Sequence, residues 1–511
     1  MLNVRTLVVS VTVCSVFLFA GTVHAVIPQT ERDALIAVYN RTGGPGWGDS
    51  TNWLGGAGPE CTWFGGVCSG GDANVIELNL MGNNLAGVIP SEIGGLTELE
   101  ALRLAFNQLT GAIPPEVGGM DSLWLLALGV NQLIGDIPPE LGALSNLQSL
   151  RLGQNQLSGG LPPALGSLAN LVRLDINDNR LTGGIPVELG GLASLEQVQL
   201  WGNRLEGEIP ASFAGLPALV FVDLADNELT GQIPAEFGSC LNLNGLILVG
   251  NELEGEIPAE LGQLGSLGHL DLARNRLTGE IPAALGGLAN LGFLGLGENR
   301  LTGSIPPELG NLAMLNDLHL QNNLLSGPIP AELGNLGALG FLNLSANNLT
   351  GQLPAELGNL ASLGHLEICQ NHLSGPIPAE FGNLANLGFL ALENNALSGP
   401  IPPELGNLAN LGELMLRWNQ LSGPIPPELG NLGSLWGLDL SQNRLEGQLP
   451  PELGNLGNLQ WMNLTSNNLM GPVPPAITGL GSLVDGASDI VMNALYSADP
   501  GVVGFLDAKC G

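Results

Sequence analysis

Residues 363–382 read LGHLEICQNHLSGPIPAEFG, and this stretch is one copy of a unit that returns every 24 residues without insertion. Its central asparagine, Asn371, belongs to a series of 17 asparagines at that spacing, from Asn83 to Asn467. A glycine follows each asparagine after four residues and a proline after seven, which gives the pattern LxxLxLxxNxLxGxIPxxLGxLxx. A register this strict predicts a repeat solenoid, in which each coil contacts only its neighbours.

The LxL segment predicts one short strand in each coil, with the leucines pointing inward and the intervening residues outward. Stacking of the coils would place these strands side by side in a parallel sheet. The repeated asparagine carries both amide donors and an acceptor, so we expect it to satisfy backbone groups where the chain leaves the strand. The proline would precede a short 3₁₀-like segment on the opposite side. The expected fold is a curved, twisted array with the sheet on its concave face and these segments on its convex face.

The pattern resembles the leucine-rich repeat family, in particular the 24-residue subtype of plant receptor ectodomains and polygalacturonase-inhibiting proteins. Ser374-Gly375 and Ile377-Pro378 carry the resemblance to that subtype. The resemblance implies a non-catalytic recognition protein that binds an extracellular protein, peptide or glycan on its concave face. It also suggests inhibition of a cell-wall-degrading enzyme, and it leaves a co-receptor or homophilic contact open. The alternative function is a structural or adhesive spacer at the cell surface.

The composition narrows the class of partner. The 511 residues carry a formal charge of −33 with 14 lysine and arginine residues, and Lys509 is the single lysine. This charge disfavours nucleic acid or an anionic membrane as the partner. Glutamate recurs two residues after the proline in 13 coils, from Glu92 to Glu452. We interpret these carboxylates as a solvated ridge, with a cation-binding ridge as the alternative.

The chain divides into four segments. Residues 1–25 are typical of a secretory signal peptide, with a basic start, an apolar centre and a small-residue cleavage site, so we expect a secreted or cell-surface protein. The apolar run is too short to predict a membrane span. Residues 26–74 would form an N-terminal cap, with a helix capped by Thr30. Residues 75–480 would form the array of 17 coils, and 481–511 a degenerate last coil around Asn493 with a C-terminal cap.

The cysteines suggest different environments. The stretch CTWFGGVC, from Cys61 to Cys68, is similar to the N-terminal caps of extracellular leucine-rich repeat proteins, and this resemblance implies a Cys61–Cys68 disulfide, in agreement with export. Cys240 stands where the repeat has a core leucine, so we expect it to be buried. Cys369 would be a free thiol at a strand end, and the pairing of Cys510 stays open.

The outward positions of the strands are the candidate binding surface. Aromatic residues make up 4% of the chain, yet several lie on this track. Exposed aromatic and charged groups on a rigid sheet are what a recognition surface needs. The alternative is that duplication copied a phenylalanine along a face without function, or that the rings pack over the strand edges. We expect apolar anchors at Trp201, Phe221, Phe293, Phe341, Phe389, Trp418 and Trp461, and polar specificity from His269, Asp271, Asp317, His319, His365 and Glu367.

The usual catalytic motifs are missing from the sequence, including GxSxG, HExxH and the P-loop, and we expect neither an enzyme nor a cofactor. His365 with Glu367, or His269 with Asp271, could ligate a metal from one strand. Residues two apart in a strand lie more than about 6 Å apart, however, and the ligand set would be incomplete. We therefore predict no metal site.

Overall fold

The structure is a computed structural model that describes residues 27–56, 58, 60–71 and 73–510. The predicted signal peptide at 1–25 lies outside these residues. Most coils contribute a three-residue strand whose central side chain is buried, such as Leu270 or Leu342. Within the described residues these strands form a sheet of 18 strands. They are Gly66–Cys68, Val75–Asn79, Ala101–Arg103, Leu125–Ala127, Ser149–Arg151, Arg173–Asp175, Gln197–Gln199, Phe221–Asp223, Gly245–Ile247, His269–Asp271, Phe293–Gly295, Asp317–His319, Phe341–Asn343, His365–Glu367, Phe389–Ala391, Glu413–Met415, Gly437–Asp439 and Trp461–Asn463.

Neighbouring strands pair in parallel with a constant offset of one repeat. Phe341 lies beside His365, and His365 lies beside Phe389. At the N-terminal edge, Gly66–Cys68 instead runs antiparallel to Val75–Asn79 and covers the first coil. The predicted solenoid with its parallel sheet is therefore confirmed.

A second set of short parallel strands follows the asparagines, and the sequence pattern did not predict it. These strands are Ala86–Val88, Gln108–Gly111, Gln132–Asp136, Gln156–Ser158, Glu206–Glu208, Glu228–Thr230, Glu254–Glu256, Arg276–Thr278, Ser326–Gly327, Asn348–Leu349, Ser374–Gly375, Ala396–Gly399, Gln420–Gly423, Arg444–Gly447, Asn468–Pro472 and Ala494–Tyr496. They form shorter sheets of two to six strands.

Short 3₁₀ segments follow the prolines, as predicted. They are Ser91–Gly95, Pro115–Gly119, Pro139–Ala143, Pro163–Ser167, Val187–Gly191, Ala235–Ser239, Ala259–Gln263, Ala283–Gly287, Pro307–Asn311, Ala331–Asn335, Ala355–Asn359, Ala379–Asn383, Pro403–Asn407, Pro427–Asn431, Pro451–Asn455 and Pro475–Gly479. The helical turn Ala211–Ala214 takes the same place in one coil. The 13 repeated glutamates are all exposed along these segments, as a solvated ridge requires.

The core is a continuous column of leucine and isoleucine side chains. In the coil of Asn371, Leu366, Ile368 and Leu373 are fully buried. Burial of each such side chain contributes about 1.5–3 kcal/mol to folding. Cys240 is also fully buried, as predicted, and its thiol donates to the carbonyl oxygens of Ala214 and Leu216 at 3.0 and 3.1 Å.

The repeated asparagines join adjacent coils. The Asn371 Nδ2 donates to the carbonyl oxygen of Leu344 in the preceding coil at 3.0 Å and to that of Cys369 at 3.1 Å. Its Oδ1 accepts from the backbone N–H of Leu349 at 3.0 Å. Asn493 makes equivalent bonds beyond the regular array, with the Leu464 carbonyl and the Leu469 N–H. The predicted satisfaction of backbone groups is thus confirmed, and two of the four side-chain bonds of Asn371 cross between coils.

Two positions in most repeats require glycine, each for a different physical reason. Gly375 has a φ of +79°, which residues with a side chain rarely adopt, and the equivalent glycines of the other coils also have positive φ. Gly358, in the 3₁₀ segment, has an ordinary φ. A Cβ at that residue would lie 2.4 Å from the carbonyl oxygen of Glu380 in the next coil, so this glycine permits the close stacking of coils.

The N-terminal end of the solenoid is covered by helix α1, Gln29–Arg41. The helix begins at Gln29 after Pro28, so the prediction that Thr30 caps it is wrong. The buried Glu31 carboxylate accepts from the N–H of Val75 at 2.7 Å, which ties the helix to the first parallel strand. Cys61 and Cys68 form the predicted disulfide. Two 3₁₀ turns complete this segment, at Gly44–Gly46 and Glu60–Thr62.

The C-terminal end is covered by the last helix, Pro500–Lys509. Asp499 caps it, with Oδ1 accepting from the N–H groups of Gly501 and Val502. Val502 is buried against the array, and the Lys509 ammonium donates to the Leu483 carbonyl oxygen at 2.7 Å. Among the described residues, no helix has the length and apolarity that a membrane crossing requires.

Candidate functional site

The outward side chains of the main sheet form rows that run along the solenoid. One row holds the first residue of each strand, and the register places Phe221, Gly245, His269, Phe293, Asp317, Phe341, His365 and Phe389 side by side in it. A second row holds the third residue of each strand. Because strands of a sheet lie about 4.8 Å apart, aromatic rings at successive positions of one row can stack face to face.

Six of the predicted residues form a continuous stack of alternating rings, which we name the ring ladder: His269, Phe293, His319, Phe341, His365 and Phe389. Successive ring centroids lie 4.3, 5.2, 4.5, 4.5 and 4.4 Å apart. The longest step, between Phe293 and His319, is also the most tilted at 34°. At that coil the first position is Asp317, and the ring comes instead from His319 in the second row.

Stacking in the ladder determines which part of each ring is exposed to a ligand. Each interior ring has a neighbour on both faces, so its exposed part is its edge. A sugar that stacks on an aromatic face would find a free face only at the two ends of the ladder, at His269 and Phe389. The ladder is therefore a narrow apolar stripe along the solenoid rather than a series of separate anchors.

Polar groups flank the ladder. The His365 Nε2 lies 2.5 Å from the Glu367 Oε1, and the Asn343 Nδ2 donates to the Glu367 Oε2 at 2.7 Å. Residues two apart in a strand are more than about 6 Å apart along the backbone, but these two side chains lie on the same face and lean together. Asn343 was not among the predicted site residues. Gly295 was also missed, although a Cβ there would lie 2.5 Å from the Asp271 Oδ1 and 2.9 Å from a Phe293 ring carbon.

Burial at the ladder shifts the pKa values of two of its histidines and of the adjacent Asp271. It lowers the pKa of the His269 and His319 imidazoles, although the carboxylates of Asp271 and Asp317 oppose the shift. It also raises the pKa of the Asp271 carboxyl, against the effect of the N–H of Ala273 and of the two histidines. Burial therefore favours the neutral form of the His269 and His319 rings.

Two acceptor atoms beside the ladder lack an internal partner. Gln321 and Glu393 lie two residues beyond the strand ends in their coils. The Gln321 Oε1 and the Glu393 Oε2 are buried and have no hydrogen-bond partner within the described part of the protein. Burial raises the pKa of the Glu393 carboxyl, and Arg417 opposes that shift with its guanidinium 4.0 Å away. Buried polar atoms are normally hydrogen-bonded, so both acceptors are suited to a donor brought by a ligand.

The structure does not join the other predicted aromatic residues to the ladder. The Phe221 ring lies over Gly245, where a Cβ would come within 2.6 Å of it, and the Trp461 ring lies over Gly437 in the same way at 2.7 Å. Trp418 stands at a turn with a φ of +56° and is 59% exposed. Trp201 is held by a hydrogen bond. When the Asn177 amide is oriented so that its nitrogen faces the Asp175 carboxylate, its oxygen accepts from the Trp201 indole N–H at 3.1 Å.

Two of the free cysteines, on and beyond the array, are partly covered. Cys369 and Cys510 are free and half-buried, and burial raises the pKa of both thiols. In the ranges that the structure describes, no group of three or more histidine, cysteine or acidic residues could hold a metal ion.

The sequence-based choice of residues also missed the N-terminal part of the same face. Arg103, Arg151 and Arg173 occupy the outward rows of the strands before Gln197–Gln199. Extending the outward rows toward the N-terminus would have found these residues, because their spacing follows the same repeat. Arg103 and Arg151 line a pocket of about 430 Å³.

Comparisons with known proteins give the following similarities. A family profile described as Leucine Rich Repeat matches residues 74–96, 146–168, 170–192, 194–216, 218–240, 266–288, 290–312, 314–336, 338–360, 362–384, 386–408, 410–432, 434–456 and 458–480. The chain is similar to the plant peptide hormone receptor RGFR1, solved in complex with RGF2, with 36% identity over 86% of this chain and 72% of that chain and a TM-score of 0.77.

Two further solved structures extend these similarities. The Arabidopsis receptor kinase HAESA, in complex with the peptide hormone IDA and the co-receptor SERK1, is 30% identical over 92% of this chain and 90% of that chain, with a TM-score of 0.61. The Leptospira interrogans LRR protein LIC12759 is 33% identical over 81% of this chain and 95% of that chain, with a TM-score of 0.59. A comparison with curated proteins gives no match.

Proposed function

Because this chain belongs to the leucine-rich repeat family, we propose that it is a non-catalytic, extracellular recognition protein whose concave face binds an extended peptide along the ring ladder. The observation that carries the proposal is the ladder itself. Its six half-buried rings lie on outward positions that the repeat leaves free to vary, and they form one apolar stripe. Two of the similar structures, RGFR1 and HAESA, are complexes with peptide hormones, which supports a peptide as the class of ligand.

The dimensions of the ladder suit a peptide. His269 and Phe389 are five strand steps apart, which corresponds to about 24 Å at about 4.8 Å per step. An extended chain rises about 3.3 Å per residue, so about seven residues would cover the ladder. The free acceptors of Gln321 and Glu393 lie beside this path, where they could receive backbone N–H groups of the peptide.

Selection from a displayed library of random 12-residue peptides would test the proposal. We expect peptides rich in apolar residues, and we expect the variant with Phe293, Phe341 and Phe389 all changed to serine to bind them at least tenfold more weakly. A tenfold change corresponds to about 1.4 kcal/mol, and truncation of an aromatic hot-spot residue at an interface costs about 2 kcal/mol or more. Circular dichroism would check the fold of the variant.

Two further variants make the experiment decisive. Phe389→Ser removes a terminal ring that stacks on His365 alone, so it disturbs the ladder least. Met314→Ser is the matched control, since Met314 is 59% exposed but lies before its strand, outside the ladder. If no peptide is selected, or if the ladder variants and the control bind equally well, the proposed function is wrong. The structural or adhesive role would then be the better hypothesis.

A further inference from the structure

The N-terminal part of the concave face contains a separate pocket of about 430 Å³ between the strands from Ala101–Arg103 to Arg173–Asp175. Its floor is apolar and includes Leu125 together with the small residues Ala127 and Gly129. Gly129 has no side chain to fill the pocket. A Cβ there would lie 3.0 Å from the carbonyl oxygen of Gly153, so a larger residue would fit only tightly. The pocket therefore exists because Ala127 and Gly129 are small while longer side chains surround them.

The rim of the pocket combines arginine and apolar side chains. The Arg151 Nε donates to the Ser149 Oγ at 3.0 Å, which leaves donors of its guanidinium available. Arg103 pairs with Glu77 and lies with its Cζ 5.8 Å from the Trp124 ring centroid. These contacts hold the two guanidinium groups on either side of the small floor.

Apolar residues complete the rim at some cost to the backbone. Phe106 is 60% exposed, and Phe106 and Val130 have φ values of +58° and +55°. Val130 is the β-branched residue with positive φ among the described residues, and this conformation is strained for such a side chain. The fold does not require valine here, because the equivalent turn positions hold residues such as Gln154 and Gly202.

Arginine residues gather at this pocket although the protein is strongly acidic, and Arg103 is already paired with Glu77. Burial lowers the pKa of the Arg151 guanidinium, and the neighbouring charge of Arg173 lowers it further. Asp175 is the acidic residue in the lining. Its carboxylate is already engaged, because it accepts from the Asn177 backbone and, in the satisfied orientation, from the Asn177 side-chain nitrogen at 2.7 Å. Arg103, Arg151 and Arg173 outnumber the nearby carboxylates of Glu77 and Asp175, so a further negative charge would be attracted to the arginines.

We propose that this pocket binds a carboxylate attached to an apolar or aromatic body, with Arg151 and Arg103 contacting the carboxylate and the floor around Ala127 contacting the body. Arginine binds carboxylates through paired, charge-assisted hydrogen bonds, and the small apolar floor leaves space for a ring. Arg151 lies five strand steps, about 24 Å, from the start of the ring ladder. The proposal does not depend on peptide binding at the ladder.

A pair of matched probes would test the proposal by fluorine NMR. The probes are 4-(trifluoromethyl)phenylacetate and 4-(trifluoromethyl)phenylacetamide, which share the same aromatic body and differ in charge. We expect the full chain to broaden the signal of the carboxylate at concentrations at least tenfold lower than that of the amide. Arg151→Gln should remove this preference, whereas Arg276→Gln should preserve it. Arg276 is an exposed arginine paired with Glu252 outside the pocket.

A second pair of variants tests the floor. Ala127→Leu should fill the pocket and abolish binding of both probes. Ala391→Leu makes the same change at the same position of another strand, outside the pocket, and should leave binding of the probes unchanged. Circular dichroism would show that all variants fold. The proposal is wrong if neither probe binds at millimolar concentration, or if both bind equally well. It is also wrong if Arg151→Gln and Arg276→Gln have equal effects, since general electrostatic attraction would then explain the preference.

Discussion

Replacement of Asn371 by alanine should show how strongly the asparagines hold adjacent coils together. The side chain is buried, with 5% exposure. Its Oδ1 accepts the hydrogen bond of the Leu349 N–H at 3.0 Å, and its Nδ2 donates to carbonyl oxygens of its own and the preceding coil. Alanine removes all of these bonds and introduces no new charge.

The expected loss follows from what each partner retains. The Leu344 carbonyl keeps a hydrogen bond from the Asn347 Nδ2 at 3.1 Å, and the Cys369 carbonyl keeps one from the Ala346 N–H at 3.0 Å. The Leu349 N–H loses its acceptor in a coil where the Leu349 side chain is fully buried. A buried unsatisfied donor costs about 1–3 kcal/mol and each hydrogen bond contributes about 1 kcal/mol, so we expect a loss of about 2–4 kcal/mol.

Urea unfolding followed by circular dichroism would measure this loss, and hydrogen exchange would locate it. Since stability in a solenoid depends on contacts between neighbouring coils, exchange of the Leu349 amide should accelerate more than that of amides several coils away. Asn386→Ala is the matched control. That exposed asparagine donates to the Ala361 carbonyl at 2.8 Å, and its loss should cost less than about 1 kcal/mol. Equal effects of the two substitutions, or unchanged protection of the Leu349 amide, would refute the reasoning.

Three further changes have defined outcomes. Phe341→Ser should lower the free energy of unfolding by about 1–3 kcal/mol through its two ring contacts and Phe389→Ser by about half as much, and equal losses in urea unfolding would contradict the ladder. Val130→Gly should raise the urea midpoint through about 0.5–1 kcal/mol of relieved strain, while an unchanged or lower midpoint would mean that the φ of +55° costs little. Because burial lowers the pKa of His319 below its ordinary 6.5, the folded chain takes up this proton at lower pH than the unfolded chain, and stability should fall as the pH drops below about 6.5. His319→Gln should weaken that decline in pH-dependent urea unfolding, whereas His372→Gln, an exposed change outside the ladder, should not.

The fold could be predicted from sequence because its determinants repeat at a fixed spacing. The inward leucines, the asparagines and the glycines each obey a local requirement, so one coil such as 363–382 contains the information for the others. The second set of strands was missed, since two-residue pairings such as Ser374–Gly375 leave no alternating pattern to detect. The start of helix α1 was predicted wrongly because threonine is a favourable N-cap residue, which pointed to Thr30. The structure has Pro28 at the N-cap position instead.

The candidate site could be predicted only as a list of outward residues. Strand periodicity states which face a side chain occupies, but the stacking of His365 between Phe341 and Phe389 depends on side-chain torsions that the sequence does not specify. For the same reason the contact between His365 and Glu367 was not foreseen, although their backbone positions were correct. Because the predicted site was chosen by its aromatic residues, it began at Trp201 and did not include the arginine pocket on the preceding strands.

The two parts of the concave face show how this architecture separates folding from recognition. The column of inward leucines is nearly the same in every coil, so outward positions can change without altering the backbone. In one region these positions carry stacked rings, and in another small residues between Arg103 and Arg151. The strain at Val130 stands in the second region, and the unpartnered acceptors of Gln321 and Glu393 stand beside the first. These three features lie at the two surfaces where a ligand could offset their cost, whereas the unpartnered Trp63 Nε1 lies in the N-terminal cap. The position of the three is the one expected when selection acts on binding as well as on the fold.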